Sequence, residues 1–300
     1  MALATPRPYT VAVARLASHR IWGTTWKFVR TKPLGAAGVA VILVMVLAAI
    51  FADFIAPYDA YELNQRLQFR APNMAHWLGT DEFGRDVLTR IIYGARIALF
   101  IGLASSFLGS TAGAALGVIS AYLGGKTDLW LQRVMDILLA FPLLILALAI
   151  VTVLGRSIPN LILAIAIPVI PRTARIVRSS ALSAKENVYV EAARAVGSSH
   201  IRVMFHHIVP NIMAPYLIVL TAQLGGAILT EASLSFLGLG TAEPTPSWGL
   251  MLSGGAPMYA EKAPWLAIFP GLVISLAVFG FNLFGDSLRD ALDPKLRHRS

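Results

Sequence analysis

Long uncharged runs alternate with short polar segments along most of the chain. The first run, Leu34 to Ala52, matches the roughly 20 apolar residues that one transmembrane helix needs. The second run, Ile97 to Gly125, is longer than one span requires and is rich in small residues, which let helices approach closely. These residues fit ordinary helix packing, and a translocation path needs the same close approach: Gly102, Ala104, Ser105, Ser106, Gly109, Ser110, Gly113 and Gly117.

Two further runs contain proline or charge. A third span is predicted from about Leu129 to Leu154, with Asp136 near its start and Pro142 inside it. The fourth, from Ile158 to about Val177, carries three prolines, at 159, 168 and 171. Proline in a spanning helix indicates a kink that neighbouring helices shelter.

The last two spans complete an all-α membrane protein with six transmembrane helices. The fifth begins after Pro210 and runs to about Leu237, and the sixth covers about Trp265 to Phe284. Trp265 is interpreted as an anchor at the membrane interface, where tryptophan is enriched. The composition agrees, because 56% hydrophobic and 14% charged residues are not typical of a soluble globular protein.

The positive charge sets the orientation. Six spans place both termini on one side, and that side carries the heavier share of basic residues: Arg7, Arg15, Arg20, Lys27, Arg30, Lys32, Lys126, Arg133, Arg172, Arg175, Arg178, Lys185, Arg194, Arg202, Arg289, Lys295, Arg297 and Arg299. The other side carries fewer: Arg66, Arg70, Arg85, Arg90, Arg96, Arg156 and Lys262. The positive-inside rule therefore predicts that both termini are cytoplasmic.

The chain is divided accordingly. Residues 1–33 form a cytoplasmic N-terminal segment, 34–56 the first transmembrane helix, and 57–96 a periplasmic loop with a short helix near 86–92. Residues 97–288 form a core of five transmembrane helices, with a cytoplasmic loop at 185–210 and a periplasmic segment at 240–264 that contains a short helix over the exit. Residues 289–300 form a cytoplasmic tail.

Several classes of function are excluded or disfavoured. The absence of cysteine excludes disulfides, thiolate metal sites and cysteine nucleophiles. The net charge of +9 has no basic stripe with interleaved aromatics, so nucleic-acid binding is not expected. No cleavable signal peptide is evident, so the first run is interpreted as an uncleaved anchor. No phosphate loop of the GxxxxGK[ST] form occurs, and no catalytic set converges within the spans.

The longest polar interruption, Lys185 to Asn211, reads KENVYVEAARAVGSSHIRVMFHHIVPN. Its pattern predicts a helix over residues 189–196 that ends at Gly197, a second helix over 199–207 capped by Ser198, and closure at Pro210. Two short helices that meet at a glycine form a compact knob suited to docking. A surface hairpin without a partner remains the alternative. The three histidines of the segment, His200, His206 and His207, are assigned to its surface rather than to a metal site.

This segment resembles the EAA motif of ABC-importer permeases. Glu191, Ala192, Ala193, Gly197 and Pro210 match in place, whereas position 207 is His where Ile is usual and position 209 is Val where Leu is usual. Further segments resemble the second, C-type permease of the dipeptide, oligopeptide and nickel importers: LGTDEFGRDVLTRIIYGAR, MDILLAFP, EASLSFLGLG, PSWG and FNLFGDSLRDALDP.

The resemblance implies a type I ABC importer (MetI-like) permease fold in the bacterial inner membrane. It also implies four kinds of partner: a second homologous permease, two ATPase subunits, a periplasmic or lipid-anchored substrate-binding protein, and the bilayer. ATP and Mg²⁺ would bind the ATPases, with no cofactor on this chain. The residues implied to couple to the ATPase are Glu191, Ala192, Ala193, Gly197, Ser198 and Pro210. The expected cargo is a di- or oligopeptide, with nickel, glutathione or an opine-like solute as alternatives within the family.

Charges at membrane depth are candidates for the path. Asp136, Glu231 and Asn282 are assigned to it, and Asp286 is a further suspect. Pairing with a basic residue one turn away is the simpler reading of Asp136 with Arg133 and of Asp286 with Arg289. Glu231 is expected to lack a local partner, and so to face the path or to bond the partner permease.

The periplasmic mouth, or contact with the binding protein, is assigned to Asp81, Arg85, Asp86 and Trp248. Local pairing of Asp81, Glu82 and Asp86 with Arg85 and Arg90 is the simpler reading, and Trp248 also fits plain interfacial anchoring. Two rival functions remain. An ion-coupled secondary transporter would show two related halves with broken helices, and a membrane-embedded enzyme would need a catalytic set on facing spans.

Overall fold

The computed structural model describes residue 30, residues 32–259 and residues 261–292, with the backbone alone for 254–259. The terminal segments predicted to be cytoplasmic, 1–33 and 289–300, therefore fall mostly outside the described residues. In the described part the chain is almost entirely helical, and an isolated bridge between Thr80 and Asp86 is the β-structure there.

Eleven α-helices have defined bounds in the described ranges. They are α1 Pro33–Ile50, α2 Ala52–Ile55, α3 Val87–Leu123, α4 Gly125–Leu139, α5 Leu143–Leu154, α6 Ile158–Lys185, α7 Val188–Ala195, α8 His200–Val203, α9 Val209–Phe236, α10 Trp248–Tyr259 and α11 Trp265–Leu292. A 3₁₀ turn, Gln65–Leu67, lies in the first long loop, and a π turn, Met204–Ile208, joins α8 to α9.

Helix α3 lies at the centre and packs against α6 along a row of glycines. A Cβ added to Gly109, Gly113 or Gly117 would lie 2.5–2.6 Å from a backbone oxygen of α6, so these positions hold the two helices in contact. Ser106 and Ser110 on the same helix are fully buried. The small-residue run predicted from sequence thus serves close helix packing.

Among the described residues, five helical segments are long and apolar enough to cross a membrane: α1, α3, α6, the continuous stretch from His200 to Phe236, and α11. The sixth span exists only if α4 and α5 are taken together, because they are bent by 92°. The predicted third span, Leu129 to Leu154, is therefore broken at Ala140–Pro142. A proline that follows α4 accounts for the break, since it cannot continue the hydrogen-bond ladder.

Two further expectations about helix bounds are corrected. The short helix predicted near residues 86–92 is not separate, because α3 runs without a break from Val87 through the second span. Helix α6 continues to Lys185, past the predicted end near Val177, and contains Pro168 and Pro171 without interruption.

The loop between α2 and α3, α10 and the start of α11 together form a cap, which is predicted to face the periplasm. Val87 and Ile91 of α3 pack there against Ala263 and Leu266. Trp265, predicted as an interfacial anchor, donates a hydrogen bond from Nε1 to the Thr80 carbonyl oxygen at 3.1 Å. This cap fixes the predicted periplasmic loop against the ends of the spans.

Candidate functional site

The polar segment after α6 forms a knob, defined here as residues 186–208. Its first half is α7, which ends in the turn predicted for Gly197, with φ at +79°. The amide of Ser198 donates to the Ala193 carbonyl oxygen at 3.0 Å, and the amide of Gly197 donates to that of Arg194 at 2.9 Å. This pairing satisfies the last carbonyls of α7, and glycine adopts the positive φ without strain.

The second half of the knob differs from the prediction in two respects. The cap of α8 is Ser199, whose side chain accepts from the amide of Arg202, so the cap assigned to Ser198 is one residue early. Pro210 does not close the segment, because α8, the π turn and α9 form one stretch from His200 to Phe236. The amide of Val209 bonds the Met204 carbonyl oxygen five residues back, which defines the π turn.

The knob is anchored to the end of α3 by Tyr122. The hydroxyl of Tyr122 lies 2.9 Å from Nδ1 of His200, and the guanidinium of Arg194 lies 5.0 Å from the Tyr122 ring centroid. Lys185 donates from Nζ to the carbonyl oxygens of Ala121 and Tyr122, at 3.1 and 2.9 Å. Tyr122 could not be predicted from the sequence, because it is far along the chain from its partners and looks like the end of an apolar run.

One face of the knob is buried and the other is open. Val190, Val203 and Ile208 are fully buried against the ends of α3 and α6. The exposed face is apolar to an unusual degree for a polar segment: Val188 is 80% exposed, Val196 82% and Ile201 67%. Exposed apolar side chains rimmed by polar ones are typical of a protein-binding surface.

Of the residues assigned to coupling, four lie on the open side and one is buried. Glu191, Ala192, Gly197 and Pro210 are exposed, Ser198 is half-buried, and Ala193 belongs to the core beneath. Glu191 forms no side-chain hydrogen bond or ion pair within the described part of the chain. Its carboxylate is therefore available to donors on a partner.

A cluster of charges lies in the cap. Arg85 pairs with Asp81 at 2.6 Å and with Glu243 at 2.8 Å, and Arg90 lies 3.7 Å from Asp81 and 3.9 Å from Glu243. The predicted pairing of Asp81 with both arginines is confirmed. Glu243, which joins the loop before α10 to this cluster, was not found from sequence because it lies 158 residues from Arg85.

Two acidic neighbours behave differently. Asp86 caps α3 by accepting from the amide and hydroxyl of Thr89, and its other oxygen lies 2.9 Å from Nδ1 of His76. Asp86 thus binds His76 rather than Arg90. Partial burial, followed by the adjacent Asp81 carboxylate, raises the pKa of Glu82 above its ordinary value.

Trp248 and Glu231 are both buried and hydrogen-bonded within this chain. Trp248 is 1% exposed and donates from Nε1 to the Ile91 carbonyl oxygen at 2.9 Å, so it locks α10 onto α3 and is not a solvent-facing anchor. Glu231 is also 1% exposed and accepts from the hydroxyls of Ser235 at 2.7 Å and Ser247 at 3.0 Å. The expectation that Glu231 lacks a local partner is wrong, since Ser235 lies one turn away.

Asp136 pairs with α6 more closely than with its own helix. Its carboxylate contacts the guanidinium of Arg175, and that of Arg133 lies farther away at 3.9 Å. Asn282 and Asp286 are exposed on α11. The predicted pair between Asp286 and Arg289 is not present within 4.0 Å in the described structure. Among the described residues no group of three or more His, Asp or Glu side chains is arranged to hold a metal ion.

Two family models match the chain. Residues 113–298 match the binding-protein-dependent transport system inner membrane component, and residues 21–73 match the N-terminal transmembrane domain of oligopeptide transport permease C. The first match contains the whole knob and every spanning helix after α3. The second covers α1 and the start of the first loop.

Curated relatives match over most of their length. A dipeptide transport system permease protein of Alkalihalophilus pseudofirmus is 43% identical over 92% of this chain and 90% of its own. A glutathione transport system permease protein of Pectobacterium atrosepticum is 42% identical over 96% of both chains. Among solved structures, an amino acid ABC transporter with histidines aligns with 70% of this chain and 94% of its own at 20% identity and a TM-score of 0.45. The family assignment rests on the family models and the sequence relatives.

Proposed function

The chain belongs to the family of binding-protein-dependent transport system inner membrane components, and on this premise we propose that it is the C-type permease subunit of an ATP-driven importer of dipeptides and oligopeptides. The exposed apolar face of the knob carries the proposal, because it offers a partner protein a surface that is fixed to three spanning helices. Glutathione, itself a small peptide, is a second candidate cargo, since relatives named for it match equally well.

The knob is the proposed docking element for an ATPase subunit. A push on the open face would reach α3 through Tyr122, α6 through Lys185, and α9 through the continuous helix from His200. The spans would then move between inward-facing and outward-facing arrangements. ATP can drive this change only if the two arrangements bind the ATPase with different free energies.

In the proposed complex the chain associates with four other protein subunits and with the membrane. They are a second homologous permease that completes the path, two ATPase subunits that bind ATP and Mg²⁺, a periplasmic or lipid-anchored binding protein, and the bacterial inner membrane. In this proposal the charged cluster around Arg85, with Asp81 and Asp86, would lie at the periplasmic end, where a binding protein would dock; the ion pairs that hold the cluster together support this role. Selection of the cargo would rest chiefly with that protein.

Coupling is tested by reversing the charge of Glu191 in the complete complex. We expect Glu191→Arg to reduce ATP-dependent peptide uptake by proteoliposomes at least about tenfold, as a lost interaction of about 1.4 kcal/mol requires, while the protein stays inserted. The matched control is Glu186→Arg, which reverses another exposed carboxylate, at the C-cap of α6. ATP hydrolysis and uptake are measured on the same vesicles.

Loss of uptake in Glu191→Arg with retained hydrolysis, against normal uptake in Glu186→Arg, supports docking at this position. Unchanged uptake in both variants would contradict it. A permease that transports peptide without nucleotide or an associated ATPase would overturn the proposed function as a whole.

A further inference from the structure

Five polar side chains on three spanning helices make no side-chain hydrogen bond or ion pair within the described part of the chain. They lie on α6, α9 and α11 and comprise three charged groups and two amides: Arg172, Gln223, Asn282, Asp286 and Arg289. Polar groups inside membrane segments are costly unless they are paired or face water. The presence of five such side chains on three spanning helices therefore indicates a shared function.

On helix α6, a cation without a partner is the exception. Two of its other cations are engaged, Arg175 with Asp136 and Arg178 with Asp128, and Lys185 donates to the end of α3. Arg172 lies only one turn before Arg175 and has no such partner. Arg175 and Arg178 in the cytoplasmic half of α6 thus each have a carboxylate partner, and Arg172 has none among the described residues.

Arg172 and Arg289 line one cavity of about 380 Å³ together with Gln223. Apolar side chains of α6 and α9 form the rest of its wall: Ile176, Pro215, Ile218, Val219 and Ala222. Two guanidinium groups and one amide in an otherwise apolar wall form a site for a single anionic group. A planar carboxylate matches such a site, because guanidinium groups bind it with paired hydrogen bonds.

The cavity lies between the middle of the membrane and its cytoplasmic side. Gln223 is near the centre of α9, about 21 Å from Val209 at 1.5 Å per residue. Arg172 is about 21 Å from the outer end of α6 at Ile158, and Arg289 is in the last turn of α11. A cargo released to the cytoplasm would pass this level last.

The face of α11 that borders the cavity carries the other unpaired groups. Asn282, Asp286 and Arg289 are four and three residues apart, so they share one face of the helix. That face is turned towards α9, because Oδ1 of Asn282 would lie 3.1 Å from a Cβ at Gly225. Neither Arg172 nor Arg289 has a carboxylate within 4.0 Å in the described part of the chain, which leaves both guanidinium groups open to an external anion.

We propose that Arg172 and Arg289 together bind the free carboxylate of the transported peptide in the cytoplasmic half of the path. The inference rests on the proposed function, and it assigns to this chain a recognition step separate from that of the binding protein. A lipid-facing position is unfavourable for an unpaired guanidinium group at the depth of Arg172, so in this proposal the cavity faces a water-filled path.

The test measures binding of radiolabelled alanyl-phenylalanine to the nucleotide-free complex of permeases and ATPases, without binding protein, in phosphatidylcholine vesicles. We expect Arg172→Gln and Arg289→Gln each to weaken binding about tenfold, the loss of about one charge-assisted hydrogen bond. The C-terminal amide of the same dipeptide should bind wild type and both variants equally weakly. Arg133→Gln, which removes an exposed guanidinium on the same side of the membrane, should bind like wild type.

Other sources of the anion give different results. If the partner permease supplies the carboxylate, the variants lose the free acid and the amide equally, which would overturn the inference. If the headgroup of an anionic lipid fills the cavity, the variants differ from wild type only when phosphatidylglycerol is added, and for both peptides alike, which would also overturn it. Normal chromatographic size and ATP hydrolysis show that each variant is folded.

ATP-dependent uptake of the free dipeptide by wild type, measured in the same vesicles with binding protein added, separates this inference from the proposed function. Uptake by wild type, with variants that bind acid and amide as wild type does, would overturn the carboxylate site and leave the importer assignment intact. No uptake of any peptide by wild type would overturn the importer assignment itself.

Discussion

At the scale of single residues, the contact between Gly94 and Trp248 shows how the cap depends on the absence of a side chain at position 94. A Cβ at Gly94 would lie 2.5 Å from Cδ1 and Nε1 of the Trp248 indole. The indole is buried and its Nε1 is already bonded to the Ile91 carbonyl oxygen, so it has no free direction in which to move. The smallest substitution therefore disturbs the attachment of α10 to α3.

We expect Gly94→Ala to lower the free energy of unfolding by about 1–3 kcal/mol, as overpacking in a filled core does. Gly271→Ala is the matched control, because nothing lies within 4 Å of a Cβ there and alanine gains up to about 1 kcal/mol in a helix. Thermal unfolding of the purified protein in detergent measures both. Equal unfolding midpoints for Gly94→Ala and Gly271→Ala would show that the Trp248 indole moves aside without a loss of stability.

Single residues also mark where sequence reasoning reached its limit. The turn at Gly197 was predictable because it depends on its own backbone and the carbonyls just before it. The partners of Asp136 and Arg85 were not, since Arg175 and Glu243 lie on other elements. For Glu231, the sequence already shows the hydroxyl of Ser235 one turn away. The expectation that Glu231 lacks a partner failed because it considered cations and not hydroxyls.

At the scale of elements, the π turn between α8 and α9 determines which way the knob faces. Pro210 has no amide proton, and its ring crowds the carbonyl four residues before it in an α-helix. One extra residue in the turn Met204–Ile208 relieves that conflict and keeps the helix continuous. The knob is thereby joined rigidly to α9 instead of being hinged at the proline.

We expect Pro210→Ala to allow the turn to return to α-helical geometry. Loss of the extra residue from the π turn rotates α8 by about 100° relative to α9, given 3.6 residues per turn. This rotation changes the direction in which the open face of the knob points. Spin labels on cysteines introduced at Val196 and Leu237 measure the change as a distance, and the native chain adds no cysteine of its own.

A matched substitution on α9 is Pro215→Ala, which removes a proline within the same continuous helix but beyond the π turn. It should leave the distance between the two labels unchanged. An unaltered distance in Pro210→Ala as well would show that Pro210 does not maintain the π turn, and that packing against α3 and α6 does.

The elements themselves were largely predictable, because a span of uncharged residues fixes a helix without reference to the rest of the fold. The bend between α4 and α5 was not. Its two halves are each too short to cross the bilayer, and the polar face of α4 is held to α6 by Asp128 and Asp136. A hydropathy average treats the two halves as one apolar segment and carries no information about the bend between them.

At the scale of the whole molecule, that bend decides the topology. If α4 and α5 together cross once, the chain has six spans, and the knob lies on the same side as the N-terminus. If they re-enter and return, the chain has five spans, and the knob lies on the opposite side, where no ATPase could reach it. The basic residues around the knob favour the cytoplasmic placement.

Single cysteines decide between the two topologies in intact cells, using a maleimide that does not cross the membrane. We expect Arg156→Cys, after α5, to be labelled from the outside, and Lys126→Cys, at the start of α4, only after permeabilisation. Val196→Cys, on the open face of the knob, should behave like Lys126→Cys. Labelling of positions 126 and 156 from one side would make the bent pair re-entrant, and labelling of position 196 from outside would remove the knob from contact with any cytoplasmic ATPase.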